Sequence, residues 1–369
     1  MTFEIQHTSG AARAGQLRLR HGDVLTPAYM PCASRAAVRA CPPEALADVG
    51  VQIIVANAYH LHLRPGADVV EACGGLHRFM HWQRPIMTDS GGFQVFSLAD
   101  SDDIDEEGVT FQSPVDGSEL VLTPELSVQI QQRLDSDIAM PLDECCSYPA
   151  DREYVERSLE RTLRWAERSL AAHNHEHQQL FGIVQGGVYQ DLRQRSARET
   201  AAMGFPGFGI GGLSVGEGRE EMLTALRAAI AALPSELPVH LMGVGTPLDL
   251  VDCAAEGVDL FDCVLPTRNA RHGSVMTWEG PVRIPGADNE TDSGPLSERC
   301  DCPACEAGFS RAYLRHLFRV EEPLVWQLLS LHNLRFYTQL MECVREAIAA
   351  DALGELRREV SAWSERDRS

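Results

Sequence analysis

Eight short apolar runs punctuate the chain between residues 24 and 264. They are VLTPAYM (24–30), VQIIVAN (51–57), RPIMTD (84–89), SDIAMPLD (136–143), LFGIVQ (180–185), GFGIGGL (207–213), VHLMGVG (239–245) and VDLFDCV (258–264). Continuous rather than alternating apolarity marks strands buried on both faces. Most are separated by amphipathic or alanine-rich stretches that suit helices: Pro43 to Val49, Thr123 to Leu134, Arg152 to Ala172, Gln190 to Met203, Glu217 to Leu233 and Leu248 to Glu256. Strands alternating with helices build a parallel sheet. Eight such units in about 250 residues have the size of a (β/α)8 TIM barrel. A doubly wound open sheet is the alternative, weakened because no run leads into a GxGxxG turn at a helix start.

Two segments interrupt the pattern. Residues 99–122 are acidic and then alternate, with turn signals at Glu107–Gly108 and Asp116–Gly117, and read as a surface hairpin inserted after the third strand. From residue 285 the pattern gives way to clustered cysteines and long helical stretches. The expected division is therefore a catalytic barrel over residues 1–284 and a zinc-binding subdomain with C-terminal helices, packed on the barrel, over residues 285–369.

Polar residues and glycines fall at the strand ends: Asn57, Asp89, Asp143 with Glu144, Gln185, Gly211 with Gly212, Gly243 with Gly245, and Asp262. In a barrel these ends converge on one rim, where active sites lie. Asp262 sits inside an apolar run, and a carboxylate there is costly to bury without a partner or a task. Arg268 and Arg271 follow it in what reads as a loop. A carboxylate at a strand mouth beside arginines suits attack on an electrophilic carbon of a phosphate-bearing substrate. The competing reading is a structural Asp262 tied to an arginine in a buried ion pair. Asp89 has its own alternative, a turn former ahead of Ser90-Gly91-Gly92.

The formal charge of −21 is a poor prior for a nucleic-acid binder, because phosphate affinity comes from positive charge. A local patch can still bind, and Arg311, Arg315, His316 and Arg319 recur at helical spacing, with Arg268, Arg271 and Arg335 elsewhere. All 32 basic residues are arginine. No run is long enough to span a bilayer, and the first residues lack the apolar core of a signal peptide, which points to the cytoplasm. Of the 11 cysteines, Cys73, Cys253, Cys263 and Cys343 sit singly in apolar surroundings and read as packed thiols.

Cys300, Cys302 and Cys305 form C-x-C-x2-C, a spacing suited to one tetrahedral zinc that needs a fourth ligand. The candidates are His332, His316 and Cys343, with His332 preferred for its place in a helical pattern. A closed four-ligand site is structural rather than catalytic. The neighbouring helix SRAYLRHLFRV would then turn its arginines outward.

The motifs MTDSGGFQVFSL (87–98), DECCSYPA (143–150), GIVQGGVYQDLR (182–193), GIGGLSVGE (209–217), LMGVGTP (241–247) and FDCVLPTRNAR (261–271) are long and ordered. With the cysteine–histidine set, the chain resembles the bacterial tRNA-guanine transglycosylases from about residue 5 to residue 350. The resemblance implies a zinc-containing TIM barrel, acting as a homodimer. It implies exchange of the wobble guanine in the anticodon loop of tRNA-Asp, tRNA-Asn, tRNA-His and tRNA-Tyr for a 7-deazaguanine, on the route to queuosine. By position, Asp262 matches the nucleophile and Asp89 the general acid/base. Asp89, Asp143, Gln185, Gly212 and Gly243 match base-reading positions, and Phe93 and Met242 the pair that sandwich the ring. Arg268 and Arg271 match residues on the RNA backbone, and Cys300, Cys302, Cys305 and His332 the zinc set. Cys145 and Val215 match positions at which bacterial members differ from eukaryotic ones, favouring 7-aminomethyl-7-deazaguanine over queuine.

Overall fold

The computed structural model describes residues 1–96 and 103–366. Its centre is a parallel barrel of β1 (Ala28–Pro31), β2 (Ile54–Asn57), β3 (Ile86–Asp89), β4 (Ile138–Ala139), β5 (Gln179–Leu180, resuming at Gly182–Val184), β6 (Phe208–Ile210), β7 (Val239–Leu241) and β8 (Leu260–Cys263). Parallel ladders join β2 to β3, β3 to β4 and β4 to the first half of β5. The second half of β5 pairs with β6, then β6 with β7, β7 with β8 and β8 with β1. A parallel bridge from Cys32 to Val55 joins β1 to β2 and closes the ring. The strands are short because each buries both faces and then opens directly into the rim loops.

The first apolar run is not one strand. Its front half belongs to Gly22–Thr26, which pairs antiparallel with Ala12–Leu19, and that strand in turn pairs with Thr2–Ser9. Pro27, which has no N–H to give to a ladder, separates this sheet from β1. Leu17 and Val24 of the sheet are fully buried with Met30, Ile53, Met87, Phe181 and Ile183, so the sheet plugs the end of the barrel away from the rim.

The expected helices form close to their expected limits: Pro43–Asp48, Pro124–Leu134, Arg152–Ala172, Gln190–Ala202, Arg219–Ile230 and Pro247–Ala255. Thr123 caps the second by accepting from the Leu126 N–H at 3.1 Å. Three short helices, Ala58–Leu63, Ala67–Ala72 and Gly75–Phe79, link β2 to β3. In the insert, Val109–Gln112 pairs antiparallel with Glu119–Leu122 around the Asp116–Gly117 turn. Residues 97–102 of that region lie outside the described residues.

After β8 the chain enters the short helix Leu265–Arg271, not the loop expected there. Pro266 suits its first turn, where no N–H is needed. The 26-residue helix Leu324–Ala349 crosses behind it and holds the rim in place. Asn333 donates to the Pro266 and Ser274 carbonyls, and the Tyr337 hydroxyl donates to the Gly245 carbonyl at 2.7 Å.

Several charged residues are not where sequence spacing puts them. Arg311 donates to the Pro295 and Leu296 carbonyls, and Arg315 to the Gly286 carbonyl. Arg335 is half-buried between Asp301 and Glu342. These arginines fasten loops rather than forming an open patch. Cys253 and Cys263 are buried, but Cys73 is exposed rather than packed. Among the described residues no helix is long and apolar enough to cross a membrane.

Candidate active site

The strand ends enclose a cavity of about 420 Å³, lined by Asp89, Phe93, Asp143, Cys145, Gln185, Gly212, Val215, Met242, Gly243, Asp262 and Arg268. The rim residues singled out in the sequence therefore meet, apart from Glu144 and from Arg271, which lies on the same short helix one turn on from Arg268.

Asp262, near the end of β8, has no arginine partner among the described residues. Its Oδ1 accepts from the Gly243 N–H at 3.0 Å and lies 2.8 Å from His240 Nε2. Its Oδ2 faces the Cys32 thiol at 3.8 Å. The carboxylate is thus held by a backbone N–H and an imidazole in place of the buried arginine ion pair considered for it.

Asp89 closes β3. Its Oδ2 accepts from Asn57 Nδ2 at 2.9 Å, and Asn57 also donates to Gln94 at 2.7 Å. Burial, reinforced by the neighbouring charge of Asp262, pushes its carboxyl up to about 6, against the pull of the Gly91 N–H, His240 and Asn57. Gly91 is at φ +89°, and a Cβ there would lie 2.4 Å from the Tyr59 Cβ, so the turn carrying Asp89 admits only glycine.

Asp143 and Gln185 form a pair. Gln185 Nε2 donates to Asp143 Oδ2 at 2.6 Å. Burial raises the Asp143 carboxyl to about 7 in spite of that bond. Gly212, at φ +63°, passes so close that a Cβ would meet Gln185 Oε1 at 2.3 Å. Glu144, read from the sequence as a solvated neighbour or part of the rim, is instead buried against Arg161 and Tyr154.

Sequence reasoning missed Arg193, which is fully buried on the helix Gln190–Ala202. Its guanidinium donates to the carbonyls of Val184, Gly187, Gly211 and Gly212. It thus ties the loop after β5 to the loop after β6. Burial lowers its affinity for its proton, to about 10. Glu217 holds the next residues by accepting from the Ser214 and Val215 N–H groups. Sequence reasoning also missed Arg35 and Arg39, both exposed. Arg39 and Arg268 lie near enough to Arg271 to lower its proton affinity, after the larger effect of burial. Among the described residues, none of Arg35, Arg39, Arg268 and Arg271 enters an ion pair.

Far from the cavity in sequence, Cys300, Cys302, Cys305 and His332 bring their ligand atoms within 4.8 Å of one another. His332 Nδ1 lies 3.4 Å from Cys302 Sγ and 3.5 Å from Cys305 Sγ. Tetrahedral bonds of about 2.3 Å to sulfur and about 2.0 Å to nitrogen give an S···N separation of roughly 3.5 Å. His332 Nε2 lies 2.9 Å from the Met276 carbonyl, which takes the proton side of the ring and leaves Nδ1 for a metal. The residues fit a tetrahedral ion. His316 and Cys343 are not part of the cluster.

A parallel barrel whose rim gathers a restrained carboxylate, two carboxyls of raised basicity and arginines that enter no ion pair among the described residues has the layout of a TIM-barrel enzyme. The model of the family described as "Queuine tRNA-ribosyltransferase" matches residues 8–365. Proteins named queuine tRNA-ribosyltransferase from Halothermothrix orenii, Thiobacillus denitrificans and Moorella thermoacetica are each 52% identical. The alignments cover 97%, 96% and 96% of this chain and 96% of each relative. The chain belongs to the queuine tRNA-ribosyltransferase family and is a pentosyltransferase.

Proposed function

We propose that this enzyme exchanges the wobble guanine of tRNA-Asp, tRNA-Asn, tRNA-His and tRNA-Tyr for a 7-deazaguanine, with 7-aminomethyl-7-deazaguanine as the incoming base. The observation that carries the proposal is the convergence of Asp89, Asp143 and Asp262 on one cavity of about 420 Å³. Two carboxyls in different environments can divide the work of breaking a glycosidic bond.

The Asp262 carboxylate attacks C1′ of the flipped-out nucleotide, and the C1′–N9 bond breaks. The electron pair leaves on N9 of guanine, which takes a proton from Asp89. The ribose is then held as an ester on Asp262. Guanine departs and the deazaguanine enters. Asp89 takes back a proton from its N9, which attacks C1′ and expels the Asp262 carboxylate. Two displacements retain configuration, as in retaining glycosidases. A carboxyl near 6 gives and takes a proton at neutral pH with little cost in either direction.

The purine presents two N–H donors and a carbonyl on one edge. Asp143 accepts from the donors, while the second N–H of Gln185 and the Gly212 N–H face the carbonyl. Phe93, more than half exposed, and Met242 flank the ring. Cys145, whose thiol burial pushes up to about 12, and Val215 present small uncharged surfaces to the substituent at position 7. Arg35, Arg39, Arg268 and Arg271 receive the anticodon-loop phosphates.

Zinc is the metal the Cys3His donor set suits, and it supplies a covalent clasp rather than chemistry. In this reading residues 1–284 form the catalytic unit and residues 285–369 brace it. The homodimer implied by the resemblance, and the cytoplasmic location expected from the sequence, belong to the same reading.

The test is incubation with unmodified tRNA and labelled guanine. Label should enter the wobble position, and label confined to free guanine would refute the proposal.

A further inference from the structure

We infer that His240 is a positioning residue that fixes Asp262 so that Oδ2, not Oδ1, is the attacking oxygen. The inference rests on the nucleophile reading of Asp262 given above.

His240 lies on β7, opposite Leu260 of the neighbouring β8, and is 1% exposed. An imidazole so deep in a barrel is costly unless it is bonded. Among the described residues its ring makes one hydrogen bond, with Asp262 Oδ1 at 2.8 Å from Nε2. The other ring nitrogen, Nδ1, is buried and among the described residues has no hydrogen-bond partner. A proton on Nδ1 would have nowhere to go, so the ring carries its proton on Nε2 and donates it to Asp262.

The result is an asymmetric carboxylate. Oδ1 has two donors, the imidazole and the Gly243 N–H at 3.0 Å. Oδ2 faces a thiol at 3.8 Å, a weak donor at long range. Two hydrogen bonds to one oxygen fix the rotation of the carboxylate about its Cα–Cβ and Cβ–Cγ bonds. They also occupy the lone pairs of Oδ1 and leave Oδ2 as the less encumbered oxygen. Cys32 reaches Oδ2 from β1 and the adjoining bridge, so the three strands β7, β8 and β1 together aim the attacking atom.

The experiment compares His240→Met, which fills the space without a donor, with His240→Gln, which restores an N–H. His240→Asn, which keeps the amide but withdraws it by one methylene, serves if the methionine variant does not fold. Guanine exchange into tRNA is measured as kcat and KM separately. Formation of an acid-stable protein–RNA adduct is followed in a single turnover. His240→Met and His240→Asn should lose about tenfold to hundredfold in kcat, the scale of a misdirected nucleophile. KM for tRNA should stay within about twofold, and His240→Gln should recover most of the loss. A normal kcat in His240→Met or His240→Asn, a loss carried in KM, or a His240→Gln as slow as the methionine variant would overturn the inference. Asp262→Ala separates the two layers. If it still exchanges guanine, the nucleophile reading itself fails. If it is inactive while His240→Met runs normally, only the role of His240 fails.

Discussion

Gln185 and Asp143 share a hydrogen bond of 2.6 Å inside the cavity, although 42 residues of sequence separate them. The bond keeps the Asp143 carboxylate turned toward the pocket, and burial raises its pKa to about 7. In the proposed pose guanine turns N–H donors toward Asp143, and both carboxylate oxygens accept only when it is ionised. Below pH 7 the carboxyl is mostly protonated and turns one donor toward the base. Guanine affinity should therefore weaken as pH falls, by up to about tenfold per pH unit, the slope of a one-proton linkage. Calorimetric titration of the tRNA-free enzyme with guanine between pH 5 and 8, as approximate working limits, checks this. Asp143→Asn should bind weakly at every pH.

The same raised pKa carries a stability consequence. In the unfolded chain Asp143 ionises near 3.8, whereas the folded protein holds the proton up to about 7. Between these values the native state binds more protons, so this residue's contribution to stability is fully present below 3.8 and is lost as pH rises toward 7. Asp143→Asn should flatten that part of the stability–pH curve measured by denaturant unfolding.

Arg193 is expected to matter without touching substrate. Replacing it with methionine strands the carbonyls of Gly187, Gly211 and Gly212, while the Val184 carbonyl keeps the Gly211 N–H. The loss should be about 2–4 kcal/mol, from several unmet acceptors at roughly 1 kcal/mol or more each. It should also loosen the Gly212 wall and raise the Kd for guanine. Urea unfolding and guanine titration on the same protein check both.

Much of this arrangement is visible in the amino-acid sequence, for physical reasons. Asp262 stands out because a carboxylate inside VDLFDCV is costly, and the barrel because buried strands recur at the spacing of helices. The N-terminal sheet is harder to see, since Pro27 hides the junction between two strands inside one apolar run. Arg193 escapes notice because helical patterning places an arginine on the solvent side, whereas its acceptors lie on loops that only the fold brings to it. The same blindness makes Arg311 and Arg315 look like an exposed patch, when backbone carbonyls have claimed them. Arg35 and Arg39 lie in an irregular segment after β1, and nothing local in the sequence says that Arg39 approaches Arg271.

That arginine cluster should reveal itself through salt. Each phosphate contact to a single strand contributes about 0.7 to the slope of log affinity against log salt. Arg39→Ala and Arg268→Ala should each weaken tRNA binding and make that slope shallower by about this amount. Filter binding over a salt series checks it, with free guanine affinity unchanged in Arg39→Ala as the control.

Zinc should be present at one ion per chain and should be lost from Cys302→Ser. Because Asn333, one residue from His332, bonds the Pro266 carbonyl, loss of the ion should loosen the helix that carries Arg268 and Arg271. Metal analysis with thermal unfolding checks this. A Cys302→Ser chain that keeps a full complement of metal would contradict it.

The most direct measurement is capture of the ribosyl ester. Enzyme is mixed with unmodified tRNA, quenched in acid during turnover, digested with protease and nuclease, and sequenced by mass spectrometry. The expected result is a ribose-linked peptide with the added mass on Asp262, and no adduct in Asp262→Ala. An adduct mapped to Asp89 or Asp143, or one that persists in Asp262→Ala, would contradict the double displacement described above.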